Sequence, residues 1–186
     1  MYPPDPKYVE SCAYHEAAHT VVAVALGIPL RTRGVHIDTM GSGYSYYWSR
    51  NAGNLSNTAV DIDERERSII ACEAAFIAQV EFYPECLAGG NRFDRLYTSQ
   101  LLNEIYPNTD QFLAEQSRLV DQARRLVKLH WDAIEALAKE ILAQPLTPLP
   151  DSEKHWSTDM QERWVDANRV VGILKNFAGL NPVIRP

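Results

Sequence analysis

The chain has 186 residues and a formal net charge of −6 at pH 7, which is enough length for one sizeable core. Its basic residues form only small local groups, so nucleic acid is not expected as a partner. No apolar run approaches the roughly 18 residues of a membrane span, and the N-terminus lacks the pattern of a signal peptide. The three cysteines form no CxxC pair, a sparse set that is typical of a reducing compartment, so we expect a cytoplasmic protein.

The first predicted helix carries the motif His15-Glu16-Ala17-Ala18-His19, within apolar residues at near-helical spacing over 9–25. Two histidines four apart lie on one helix face and reach a single ion, while Glu16 can take a proton from a water at that ion. This is the HExxH arrangement of zinc peptidases, so the motif predicts one zinc ion per chain held by His15 and His19. A chance match is the alternative, but polar groups on a mostly apolar helix need buried partners, which a metal supplies.

The rest of the chain predicts further helices and one hairpin. Alternating residues on both sides of Gly41-Ser42-Gly43 predict a β-hairpin over 31–48, with His36 exposed. Helical spacing covers residues 61–80, 93–105 and 110–144, the last as one helix or as two with a break near Trp131. Thr158 to Gln161 resembles a capping box that opens a last helix ending near Phe177. The predicted fold class is mainly α, within α+β, with one small hairpin or sheet beside the zinc helix.

A hydrolytic zinc site requires a third protein ligand and an open position for water. Position 25 is alanine, which excludes the extended metzincin pattern with its third histidine. The remaining candidates are all carboxylates at permissive spacing: Asp38, Glu73, Glu81, Glu85 and Asp94. Asp94 begins a predicted helix after a glycine-containing loop, from which a carboxylate can point back into a cleft.

Three segments in order resemble peptidase family M41, the proteolytic domain of the membrane-bound FtsH-type AAA proteases. Residues 13–19 resemble the family's YHEAGH segment, and residues 43–46 resemble its GYT segment, whose strand lines the substrate cleft. Residues 90–98 resemble its GASNDLxxAT segment, whose aspartate is the third zinc ligand. The resemblance covers roughly residues 7–145, and the interval from His19 to Asp94 is close to that of the family.

The resemblance implies a helix-rich peptidase domain over residues 1–145, with 146–186 as a C-terminal loop and helix packed on the same domain. It implies His15, His19 and Asp94 as ligands of one zinc ion and Glu16 as the general base. It also implies an extended peptide bound along Gly43, Tyr44, Ser45 and Tyr46 by edge pairing. Two residues depart from the family: Ala18 replaces a glycine, and Gln79 stands where a glutamate is common.

The family's ATPase module and membrane helices have no counterpart in these residues, so we expect an ATP-independent zinc metallopeptidase acting on short or unfolded polypeptides. Two alternatives stay open. One is a non-catalytic domain of the same type that binds metal or a separate partner protein. The other is a zinc amidohydrolase that acts on a non-peptide amide.

Overall fold

A computed structural model describes residues 5–48, 59–86, 92–148 and 161–186. Within these ranges the chain forms six helices: α1 (Pro6–Ala25), α2 (Ala59–Phe82), α3 (Arg92–Ile105), α4 (Thr109–Leu129), α5 (Trp131–Ala143) and α6 (Ala167–Leu174). The same ranges hold five strands: β1 (Leu30–Asp38), β2 (Gly43–Tyr47), β3 (Thr147–Pro148), β4 (Gln161–Val165) and β5 (Ile184–Arg185). The predicted fold class, mainly α within α+β, is confirmed.

Helix α1 is the central element of the core. Pro6 opens it behind Asp5, whose side chain accepts a hydrogen bond from the Lys7 amide at 2.9 Å. Every residue from Ser11 to Val24 is buried, and α1 packs against α2, α5 and the β1–β2 hairpin. Both α1 and α2 carry several fully buried alanines, and such small side chains allow the two packed helices to approach closely. Because residues 11–24 of α1 are buried, the polar side chains among them need partners inside the protein.

The strands form one mixed sheet in the order β2-β1-β4-β3, with β5 added in parallel at the start of β1. The predicted hairpin is confirmed as the antiparallel pair β1–β2, in which Ile37 lies opposite Gly43 and Val35 opposite Ser45. The turn between them is closed by Asp38, whose carboxylate accepts hydrogen bonds from the Met40 and Ser42 amides. Among the described strands, β2 stands at an edge of the sheet.

The prediction of a last helix from about residue 158 to Phe177 is wrong for its first part. Residues 161–165 form β4, which pairs with β1, and the predicted cap Thr158 lies outside the described residues. Helix α6 starts only after Asp166, whose side chain accepts hydrogen bonds from the two amides of its first turn. The open edge of β1 outweighs the local helical pattern, because a strand there satisfies backbone groups that a helix would leave unpaired.

The remaining helices agree with the sequence. Residues 110–144 form the two-helix alternative, α4 and α5, and the break falls at His130. The C-terminal helix α6 packs against β1 and α5. None of the helices in the described residues has the length and apolarity needed to cross a lipid bilayer.

Gly34 provides a test of how closely β1 approaches the β4–α6 junction. It has a positive φ of 81°, and a Cβ built on it would overlap the backbone carbonyl oxygen of Val165. We expect Gly34→Ala to lower the free energy of unfolding by at least about 1–2 kcal/mol, the cost of a left-handed backbone for a residue with a Cβ. Gly172→Ala is the matched control, because it has open space inside α6 and should raise stability by about 0.5–1 kcal/mol. Urea titrations compare the variants, and an unaffected Gly34→Ala would contradict the close approach.

Candidate metal centre

Helix α1 presents His15 and His19 side by side, one turn apart, with ring centroids separated by 4.8 Å. Both imidazoles are buried, at 6% and 5% exposure. The N-terminal turn of α3 brings in Asp94, whose Oδ2 lies 3.0 Å from His15 Nε2 and 3.4 Å from His19 Nε2. One ligand atom from each of the three residues lies within 4.8 Å of the others. The three predicted ligands therefore meet in space, although they come from two helices.

The Asp94 carboxylate is held in its charged form. Its burial alone would raise its pKa, but the hydrogen bonds and charges of His15 and His19 outweigh burial and hold that pKa well below its ordinary value. The position in the first turn of α3 also favours a negative charge. Two imidazole nitrogens and one ionised carboxylate form the donor set of a catalytic zinc site, so these residues fit the ion that the sequence predicts.

Gln79 of α2 supports the first histidine from behind. Its Oε1 lies 3.2 Å from His15 Nδ1, and because this oxygen is an acceptor the contact requires the proton on Nδ1. Nε2, which faces Asp94 Oδ2 at 3.0 Å, is the nitrogen turned toward the candidate centre. The Gln79 amide nitrogen donates to Ser11 Oγ at 3.1 Å and faces the thiols of Cys86 and Cys12 at 3.4 and 3.8 Å. These contacts fix which end of the amide faces His15. Sequence reasoning singled out Gln79 only as a departure from a family pattern and gave no sign of the thiols around it.

The second histidine lacks such support. His19 Nδ1 is buried and has no hydrogen-bond partner among the described residues. The side-chain environment is therefore asymmetric, and Gln79 fixes the orientation of only one of the two imidazoles.

Glu16 lies beside the histidines with only 6% exposure. Burial raises its pKa to about 7, while the charge of His15 and a hydrogen bond from Ser45 act in the opposite direction. The Ser45 hydroxyl lies 2.9 Å from Glu16 Oε2. A carboxylate whose pKa is near neutrality can accept a proton and release it again at physiological pH.

Strand β2 places alternate side chains on opposite faces of the sheet. Gly43, Ser45 and Tyr47 face α1, and the Tyr47 ring lies 6.2 Å from the His19 ring. The side chains of Tyr44 and Tyr46 lie on the other face, where Tyr44 is 58% exposed. Of the predicted substrate-binding residues, only Gly43 and Ser45 thus turn toward Glu16, and Tyr47 joins them. Side chains alternate between the two faces of a strand, so the sequence itself predicts that Tyr47 lies on the same face as Gly43 and Ser45.

None of the other carboxylates weighed as third ligands joins the group of His15, His19 and Asp94. Glu73 of α2 is half-buried; burial raises its pKa and the nearby charge of Asp94 raises it further, but Glu73 lies outside the group. Asp38 closes the hairpin turn, with 2.7 and 2.9 Å hydrogen bonds to backbone amides. Glu81 and Glu85 are exposed. Within the described ranges, the one group of three or more His, Cys, Asp or Glu side chains that could hold a metal ion is His15, His19 and Asp94.

The expectation that His36 is exposed is wrong. It is 8% exposed on the sheet face opposite α1, and its Nδ1 lies 3.3 Å from Glu162 Oε2 of β4. Tyr46 packs against its ring at 5.7 Å. The burial follows from β4, which the sequence did not reveal and which turns β1 from one half of a hairpin into an interior strand.

Comparison of the chain with models of protein families, with curated proteins and with solved structures found no match. The resemblance to the M41 peptidases therefore stays a prediction from the motifs, and the geometry of the site stands on its own.

The role of Asp94 can be tested by metal analysis. We expect the wild-type protein to hold about one zinc ion per chain after dialysis and Asp94→Ala to hold far less, since two imidazoles alone make an incomplete site. Asp121→Ala changes an exposed aspartate of α4 and should hold zinc like the wild type. Equal zinc content in Asp94→Ala and the wild type would remove Asp94 from the ligand set.

Gln79→Ala tests the support of His15. Loss of the acceptor at Nδ1 frees the ring to rotate and lowers the basicity of Nε2, so we expect zinc to bind about 10- to 100-fold more weakly. Competition with a zinc chelator measures the change, and Gln100→Ala on the exposed face of α3 serves as control. An unchanged zinc affinity would mean that the 3.2 Å contact has no bearing on the metal.

Proposed function

We propose that this chain is a zinc metallopeptidase of the HExxH type that hydrolyses peptide bonds in short or unfolded polypeptides. One observation carries the proposal: the ligand atoms of His15, His19 and Asp94 lie within 4.8 Å of one another, and the carboxylate of Glu16 stands on the same helix beside them. The motif resemblance to the M41 peptidases supports the same conclusion. We also propose a cytoplasmic location, in keeping with three cysteines that are all free thiols. A reaction that uses no ATP is proposed because the resemblance covers the peptidase domain alone.

The residues of the site divide the chemistry among them. His15, His19 and Asp94 would hold the zinc ion, which supplies Lewis acidity to a water molecule and to the carbonyl of the scissile bond. Glu16 accepts the proton of the attacking water and passes it to the departing amine. The buried position of Glu16 keeps bulk water from competing for the proton.

Strand β2 is our proposed binding surface for the substrate backbone. It stands at the sheet edge among the described strands, so its outward backbone groups can pair with an added strand. The Ser45–Glu16 hydrogen bond ties this strand directly to the proposed general base. Edge pairing requires an extended substrate backbone, which short peptides and unfolded segments provide and folded domains do not.

Glu16→Gln is the decisive variant. It removes the proton acceptor and keeps the size of the side chain, so we expect cleavage of casein or of a peptide library to fall by about 10²- to 10⁴-fold while zinc stays bound. Glu10→Gln changes an exposed glutamate of the same helix and should cleave like the wild type. Removal of the metal with a chelator should abolish cleavage, and added zinc should restore it.

The same assay separates the alternatives. Wild type and Glu16→Gln with equal peptide signals, both holding zinc, would contradict the peptidase proposal and leave a binding role. Glu16-dependent hydrolysis of small non-peptide amides, with no cleavage of peptides, would instead identify an amidohydrolase.

A further inference from the structure

The hydroxyl of Ser45 is enclosed between β2 and α1. Ser45 is 8% exposed, and its Oγ lies 2.9 Å from Glu16 Oε2 and 2.7 Å from the backbone oxygen of Glu16. Thr20 of α1, at 1% exposure, places its Oγ1 3.2 Å from Ser45 Oγ and 3.0 Å from the Glu16 backbone oxygen. Three side chains from two elements thus form one buried hydrogen-bond group.

The number of protons limits how this group is connected, and the strength of the acceptors selects among the remaining arrangements. Each hydroxyl has one proton to donate, and the Glu16 backbone oxygen already accepts a bond of the helix, which leaves it one further lone pair. The Thr20 proton can go to that oxygen or to Ser45 Oγ. In both arrangements the Ser45 proton is available for Glu16 Oε2, the charged and therefore stronger acceptor.

The methylene groups of Glu16 are confined as well as its carboxylate. A Cβ built on Gly43 would lie 2.6 Å from Glu16 Cγ, so the glycine lets the glutamate lie directly against the strand. The strand therefore contacts the Glu16 methylene groups through Gly43 and the Glu16 carboxylate through Ser45. These two strand residues are two positions apart and lie on the same face. A side chain held at both ends has few rotamers left to it.

From this geometry we infer that Ser45 is a positioning residue for the general base: its hydroxyl, oriented by Thr20, holds Glu16 Oε2 and leaves Oε1 to exchange the proton with the attacking water and the departing amine. The inference rests on the proposed peptidase function and deepens it. It also changes the role of Ser45, which the motif resemblance had placed among the substrate contacts. A hydroxyl already committed to a buried carboxylate is not free to bind substrate.

Steady-state kinetics of zinc-loaded Ser45→Ala tests this role. Loss of a hydrogen bond to a charged group corresponds to a fall in kcat of about 10- to 100-fold. We expect KM to stay within about twofold and the zinc content to stay unchanged, while Ser45→Thr, which keeps the hydroxyl, retains most of the activity. Ser117→Ala on the exposed face of α4 is the matched control. A raised KM with an unchanged kcat would make Ser45 a substrate contact and overturn the inference.

A double-mutant cycle separates positioning from general structural support. In the Glu16→Gln background, Ser45→Ala should cause no further fall in kcat, because the effects of residues that act as a unit are not additive. An equal loss in both backgrounds would overturn the inference. Thr20→Val, which keeps the branched shape and removes only the hydroxyl, provides a second route if Ser45→Ala does not fold, and an unchanged kcat there would remove Thr20 from the group.

Failure of the peptidase proposal is distinguishable from failure of this inference. A wild type with no more cleavage than Glu16→Gln would overturn the function and leave the positioning open to a structural readout. Crystal structures of zinc-loaded wild type and Ser45→Ala then decide. A Glu16 carboxylate that moves away from β2 in the variant supports the positioning role, and a carboxylate that stays in place overturns it.

Discussion

The burial of polar side chains on the central helix is the constraint on which the site depends. His15, Glu16 and His19 lie in a stretch of α1 that is enclosed by other elements, and none of them can turn to solvent. Three other elements supply polar side chains to these residues: α2 brings Gln79, α3 brings Asp94 and β2 brings Ser45. The packing of the core and the assembly of the candidate centre are therefore one arrangement, made by the same contacts.

The two carboxylates of the centre differ because their surroundings differ. Asp94 lies between two imidazoles at a helix N-terminus, and its pKa is held well below the ordinary range. Glu16 lies deep against the strand, where burial raises its pKa to about 7. When the surroundings separate the pKa values of two carboxyl groups in this way, one group stays charged and the other can exchange a proton. This difference supports the proposed roles, in which Asp94 holds a cation and Glu16 acts as a base.

Local sequence patterns predicted the elements whose hydrophobic periodicity is complete within one segment. Helix α1, the β1–β2 hairpin and α2 to α5 are of this kind. Strand β4 was missed because its conformation is set by the free edge of β1, which no local pattern reports. The site divides in the same way. Spacing on one helix predicted His15 and His19, but Asp94 lies 79 residues beyond His15; local pattern made it one of five carboxylate candidates, and the resemblance chose it among them. Gln79 and Ser45 contact the centre only through the packing of α2 and β2 on α1, which a linear pattern cannot express.

The distance along the chain between His15 and Asp94 has a consequence for the folding of the protein. A nascent or partly folded chain carries both histidines and Glu16 in one short segment, but it lacks the third ligand until α3 has docked, after a long loop has closed. If the centre binds zinc as proposed, capture of the ion would require this long-range contact, and the ion would in turn favour the assembled state. Under the proposed function, an unfolded chain with an incomplete site would not cut extended polypeptide, its own included.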